Sequence, residues 1–165
     1  MRRQDREITG FNNIINVIRS CKVCHVAFFD IEYPYVVPMT FGLEIKYDNK
    51  INLYFHGAKE GKKHELMKKN NKVSFVMENT HGIVTGPQVG ACECTMEFEC
   101  VMGTGMMEYV SEEEKLAALQ TMLSQYDVKE GPNYHFHHEV MPRIHVLRLR
   151  VNSLSAKKRE VATQK

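Results

Sequence analysis

The chain carries almost no excess charge. Lys and Arg number 22 against 20 Asp and Glu, a formal net charge of +2. A non-specific binder of nucleic acid or another polyanion needs a larger basic surplus, so that class is disfavoured. No apolar run approaches the ~20 residues that a bilayer-spanning helix needs, which disfavours a membrane role. The opening Met1-Arg2-Arg3-Gln4-Asp5-Arg6-Glu7 leads into no apolar core segment, so no secretory signal is expected. Internal repeats, low-complexity tracts and linkers are missing too. The expectation is a single domain over residues 1–154 with a polar tail at 155–165. Five cysteines make an odd count for a disulfide framework and are expected as reduced thiols in a cytoplasmic protein.

What is present is the mixture of a folded domain: 165 residues, 43% hydrophobic and 25% charged. Ile8, Phe11, Ile14, Ile15 and Ile18 recur at steps of three and four, which predicts an amphipathic helix within Asp5 to Ser20. Val23 to Phe29 is short and nearly all apolar, the pattern of a strand buried on both faces. A second strand begins between Pro34 and Pro38. Phe41, Leu43, Ile45 and Tyr47 then alternate with polar or small residues, Asp48-Asn49 supplies a turn, and Ile51, Leu53 and Phe55 alternate again. That is a hairpin. A basic helix is expected from Lys59 to Lys69, stopped by Asn70-Asn71.

Val73, Phe75 and Met77 alternate in the next strand, and Thr80 to Gly90 reads as a loop. Cys92 to Val110 is a long strand in which Gly103 and Gly105 mark a bulge or bend. Ser111-Glu112-Glu113-Glu114 is a capping box. It opens a helix with Leu116, Leu119, Met122, Leu123 and Tyr126 on one stripe. Leu147, Leu149 and Val151 form a last strand, and the tail from Ser155 is expected to be loose. Six strands and three helices, joined by hairpins rather than βαβ units, predict a mostly β fold: a small antiparallel barrel with flanking helices.

Three groups of metal- or haem-type residues are weak as sites. Cys21-Lys22-Val23-Cys24-His25 matches the C-x-x-C-H haem tether, but it runs into a strand, where Cys24 and His25 point to opposite sides. Cys92, Cys94 and Cys100 lack the paired-knuckle spacing of a zinc site and read as small apolar thiols. His135, His137 and His138, with His145 nearby, read as solvated loop histidines, so no metal is expected. The segment Leu53-Tyr54-Phe55-His56-Gly57-Ala58-Lys59-Glu60-Gly61-Lys62-Lys63 is different. A strand ends in small residues and a helix opens with lysines, which oppose the helix dipole unless an anion sits there. A solvated basic patch is the alternative.

Taken in order, several pieces resemble the FMN-binding split-barrel superfamily that includes pyridoxamine 5′-phosphate oxidase. They are Cys21…Cys24-His25-Val26-Ala27-Phe28, Pro34-Tyr35-Val36-Val37-Pro38-Met39-Thr40-Phe41-Gly42, Leu53 to Ala58 with Gly61-Lys62-Lys63, Val73-Ser74-Phe75, Gly103-x-Gly105, and Glu114-Lys115-x-x-Ala118-Leu119. The chain is most similar to the branch of 5-nitroimidazole-resistance proteins. The resemblance implies a six-stranded antiparallel split barrel, homodimeric, with FMN at the subunit interface. It implies that Pro38, Met39, Thr40 and Phe41 lie along the flavin, that Tyr54, Phe55, His56, Gly57 and Ala58 flank its ring and ribityl chain, and that Lys62 and Lys63 hold its phosphate. Residues around Cys94 and Cys100 would approach from the partner chain. Relatives often carry Arg-Ser at Glu99-Cys100, which implies a weakened polar contact there.

The activity so implied is reduction of a small acceptor, such as a nitroaromatic compound or quinone, by two-electron transfer from FMN. NADH or NADPH is the expected donor, and His56 the expected catalytic proton donor. The phosphate-recognising residues of the vitamin oxidase have no counterpart in the last third of the chain, which argues against that substrate. The alternative is a flavin- or haem-binding protein without turnover on the same barrel, with His25 and His56 among the candidate haem ligands.

Overall fold

A computed structural model describes residues 3–85, 90, 92, 94–126, 136 and 139–160. The elements run β1 (Glu7–Ile8), α1 (Phe11–Ser20), β2 (Cys24–Phe28), β3 (Tyr35–Met39), β4 (Gly42–Ile45), β5 (Ile51–Ala58), α2 (Lys62–Lys69), β6 (Lys72–Val84), β7 (Thr95–Tyr109), α3 (Glu112–Ser124) and β8 (Ile144–Arg159). The strands pair antiparallel in the order β3-β2-β6-β7-β8-β5-β4, with β1 added to the far end of β8.

That order dictates the shape. β3 and β4 are the two edges of the sheet, yet only Thr40 and Phe41 separate them in the chain. A link that short spans at most ~11 Å, so the sheet curls until its edges come close. Covalent chain crosses the seam, but no ladder pairs β3 with β4. The barrel is therefore split rather than closed by hydrogen bonds.

The interior is filled by one face of the strands. Val26, Phe28, Leu53, Phe55, Phe75, Met77, Met107, Leu147 and Leu149 are all buried, and α1 adds Ile15 and Ile18 while α2 adds Leu66 and Met67. A second, smaller cluster lies outside the barrel. There α3 lays Ala118, Leu119 and Met122 over Tyr54, Val110 and Val146. Gly42 permits this approach, because a Cβ there would stand 2.6 Å from the backbone nitrogen of Met122. The expected hairpin is present, with Asn49 at φ 60° in the turn. So is the bulge in β7, at Thr104/Gly105.

Eight strands replace the expected six. The strand begun at Tyr35 ends at Met39 as β3, the first arm of the hairpin is a separate β4, and Glu7–Ile8 pairs with Lys157 and Ala156 instead of starting the first helix. Gly10, at φ 85°, ends that strand and begins α1. The expected loop from Thr80 is strand as far as Val84, with Gly82 at φ 159° absorbing a register shift. Ser155 to Arg159 is not a loose tail, because β8 pairs there with β7 and β1. On α3, Leu116 is 46% exposed and its neighbour Lys115 only 2%. The Lys115 ammonium donates to the carbonyl of Met141 at 2.6 Å and to Glu112 at 3.1 Å. Cys92 and Cys94 are exposed rather than buried, while Cys21, Cys24 and Cys100 are buried. His135, His137 and His138 lie outside the described residues. Among the described residues no helix is long and apolar enough to cross a membrane, and no three metal-ligating side chains gather.

Candidate functional site

The seam exposes backbone. β4 pairs with β5 only from Ile51 to Tyr54, so on that side Phe55–Ala58 have no strand partner. β8 holds the same residues on the other side, with His56 opposite Val146 and Ala58 opposite Ile144. Alternation along β5 puts Tyr54 and His56 on the α3 face, and Phe55 and Gly57 on the barrel face. The unpaired edge lies between these two faces.

On the α3 face an apolar cavity of about 490 Å³ opens, within the ~300–1,000 Å³ typical of small-molecule sites. Leu119, Met122, Leu123 and Tyr126 of α3 form one wall, and Phe136, Val140, Met141 and Ile144 another. Among the described residues of the lining, Thr40 and His56 supply the polar groups and none is Asp, Glu, Lys or Arg. Tyr126 also fixes the seam: its hydroxyl accepts from the backbone N–H of Phe41 at 2.9 Å and donates to the carbonyl of Lys22 at 2.8 Å. A lining of that kind favours a mostly apolar small molecule.

One residue beyond His56 the chemistry becomes cationic. A Cβ on Gly57 would stand 3.0 Å from Nζ of Lys63, so the bare glycine makes room for that ammonium. α2 begins at Gly61, φ 123°, with no side chain capping its first turn. Lys62 is engaged elsewhere, 2.6 Å from Asp30 and 5.1 Å from the centre of the Tyr35 ring.

Beneath Lys63 three rings pack together. His64 is buried, with Nε2 2.8 Å from the carbonyl of Ala58 and Nδ1 3.0 Å from the hydroxyl of Tyr109. It stacks on Tyr109 at 5.7 Å and meets His145 at 5.6 Å. Burial pushes the His64 imidazole below its ordinary value; the Ala58 bond opposes this, and Lys63 and Lys68 reinforce it. His145 is also lowered, by burial first and then by His64 and the nearby lysines. Both shifts favour the neutral form of the ring.

The structure thus brings Thr40, His56, Gly57, Ala58 and Lys63 to one stretch of the seam, with Pro38 and Met39 leading into it on β3. Phe41 and Phe55 have side chains in the barrel core, fully buried, so only their backbones can meet a ligand. Tyr54 lies under α3 with its hydroxyl on Glu44 at 2.7 Å. Cys94 and Cys100 do not join the group. Cys100 pairs with Lys157 of β8, eleven residues along that strand from the partner of His56, or ~36 Å of extended chain. Burial also raises the Cys100 thiol. Sequence reasoning missed the wall at Phe136, Val140, Met141 and Ile144, and the triad of His64, Tyr109 and His145. The α3 stripe was the available signal for the first. None existed for the second.

The comparisons agree with this architecture. The solved structure of a proposed 5-nitroimidazole antibiotic resistance protein from Bacteroides thetaiotaomicron shares 27% identity, covers 92% of this chain and 86% of its own, and superposes with a TM-score of 0.76. A flavocytochrome from Azotobacter vinelandii (18% identity, 98% and 72% covered, TM-score 0.81) and an FAD- and haem-binding protein from Mycobacterium smegmatis (14%, 94% and 74%, 0.80) share the fold. No curated protein matches. A family model described as pyridoxamine 5′-phosphate oxidase matches residues 12–158, the stretch from α1 to the end of β8 that builds the split barrel. On that match the chain belongs to the pyridoxamine 5′-phosphate oxidase family.

Proposed function

We propose that this protein is a flavin-dependent oxidoreductase that takes electrons from NADH or NADPH and reduces a small uncharged acceptor, such as a nitroaromatic compound or quinone. The carrying observation is the juxtaposition at the seam. An apolar cavity with Thr40 and His56 on its wall adjoins an unpaired strand edge, and Lys63 stands over Gly57 one residue on. The residues present fit FMN in kind: apolar surface for a planar ring, backbone groups along its edge, and an ammonium with an uncapped helix start for a phosphate. When bound, flavin supplies two-electron transfer at its N5 atom.

The chain's own residues do the rest. Lys63 holds the anionic end, while Lys62 serves chiefly to tie α2 to Asp30. Backbone groups of Met39 to Phe41 and of Phe55 to Ala58 orient the ring, and the α3 wall excludes water from its face. His56 is exposed on the strand and donates a proton to the reduced acceptor. Among the described residues the lining offers no Lys or Arg to receive a phosphorylated substrate, which disfavours pyridoxamine phosphate.

Homodimerisation belongs to the same proposal: the exposed Cys94 would approach a flavin at the seam only from a second subunit, whereas Cys100 is buried in its own sheet. Five free cysteines fit a cytoplasmic location. A second reading, flavin or haem binding without turnover, is favoured by the two structural neighbours that bind haem or are flavocytochromes.

The deciding experiment is a visible spectrum of purified protein, repeated after FMN and then NADH or NADPH. Twin flavin bands that bleach with the nicotinamide are expected. A Soret band, or flavin that neither donor reduces, moves the assignment to the binding protein.

A further inference from the structure

We propose that His64 is the positioning residue of the anion anchor: by joining Ala58 at the end of β5 to the first turn of α2, it holds Lys63 over Gly57 and sets the affinity for a phosphate-bearing ligand. The inference rests on the flavin reading above and concerns a residue that reading leaves unused.

The bonding pattern fixes the protonation. A carbonyl only accepts, so the Ala58 oxygen, 2.8 Å away, requires the hydrogen on Nε2. In the neutral ring Nδ1 then accepts from the Tyr109 hydroxyl at 3.0 Å. Each nitrogen has one partner, and the ring is 4% exposed. α2 has no capping side chain, so His64 is the polar tie between its first turn and the strand that carries Gly57. Lys63, the adjacent residue, places Nζ where a side chain on Gly57 would collide. The two contacts bracket the same turn from either side.

A second proton on His64 disrupts this arrangement. Nδ1 would become a donor facing the Tyr109 hydroxyl, which would have to turn its own hydrogen away. The bond to Ala58 persists and favours the added charge, but burial and the neighbouring cations outweigh it. Lys63 and Lys68 lie on α2, Tyr109 comes from β7, and His145 from β8, with Lys59, Lys115 and Glu112 around His145. Glu112 is the one acidic group in that set, and it is held by Lys115. Acidification therefore loosens the tie and, with it, the anchor.

A histidine that merely stabilises the fold would affect all ligands equally, so the test compares FMN with riboflavin, which lacks the phosphate. Dissociation constants are read from flavin fluorescence between pH 5.5 and 8 for the wild type, His64→Ala, His64→Gln and Tyr109→Phe. His64→Ala is expected to reduce the preference for FMN over riboflavin by roughly tenfold, a difference of ~1.4 kcal/mol. The amide of His64→Gln can donate to Ala58 without titrating. That variant should keep the preference at pH 7.5 and retain only the slope due to the phosphate's own ionisation near ~6. Tyr109→Phe removes the partner of Nδ1 in both protonation states but leaves the Ala58 bond in place, so the preference for FMN at pH 7.5 should persist. An unchanged preference in His64→Ala, or equal weakening of both flavins, overturns the proposal. Should His64→Ala fail to fold, a wild-type acid slope in His64→Gln does so instead. Failure of the wild type to bind either flavin overturns the flavin reading, and the role of His64 with it.

Discussion

The hydroxyl of Tyr126 accepts the backbone N–H of Phe41 at 2.9 Å, although 85 residues separate them in the chain. Phe41 is half of the link across the seam, and Tyr126 also lines the cavity beside it. Tyr126→Phe keeps the ring and strands that N–H without an acceptor. A loss of about 1–3 kcal/mol is expected, measured by urea unfolding, together with weaker flavin binding. Unchanged stability would mean that water replaces the phenol.

The two lysines of the anchor should separate. Lys62 is bound to Asp30 at 2.6 Å with its side chain 52% exposed, so Lys62→Ala should cost ~0–1 kcal/mol of stability and alter FMN affinity by less than about threefold. Lys63→Ala should weaken FMN by tenfold or more, in line with ~1.5–3 kcal/mol for a charge-assisted bond, and leave riboflavin unchanged. Isothermal titration of both variants decides between them.

Gly42 is a steric prediction. A Cβ there would lie 2.6 Å from the nitrogen and 2.7 Å from the Cα of Met122, backbone atoms that cannot rotate away. Gly42→Ala should cost about 1–3 kcal/mol through overpacking. It should also widen the cavity by displacing α3, seen as altered binding of an apolar fluorescent probe.

Acid should weaken the α3 face of the sheet through Glu44. Burial alone would raise that carboxyl, but bonds from Lys46, Asn52 and Tyr54 outweigh it and hold the group below its ordinary 4.5. A depressed carboxyl contributes stability that is complete above its unfolded value and is lost as pH falls through the folded one. Unfolding free energy should therefore decline below about pH 4.5. Glu44→Gln should be less stable at pH 7 and flatter in acid, as followed by circular dichroism.

How much of this was legible depended on where the decisive contact lay. The Phe41-to-Phe55 hairpin could be read because its alternation and its turn at Asn49 are local. β1 could not, since two residues carry no period and its partners, Lys157 and Ala156, lie at the far end of the chain. On α3 the expected Leu119 and Met122 are buried and Leu116 alone leaves the stripe, while Lys115 turns inward to the carbonyl of Met141, which reaches it only after the chain has folded back. Thr40, His56 and Lys63 were found through resemblance to a family, and the fold brings them to one place. His64, Tyr109 and His145 come from three elements and meet only in the assembled barrel. No spacing announces them.

A sheet that ends in two edges joined by two residues has a mechanical consequence. Its outline can widen at the seam without severing a single ladder bond, so the resistance to opening comes from side chains such as Tyr126 and from whatever lies between the edges. A molecule seated along Phe55–Ala58 meets backbone groups that another strand would otherwise satisfy. It acts as a keystone, and the loaded barrel should exchange its seam amides with solvent more slowly than the empty one.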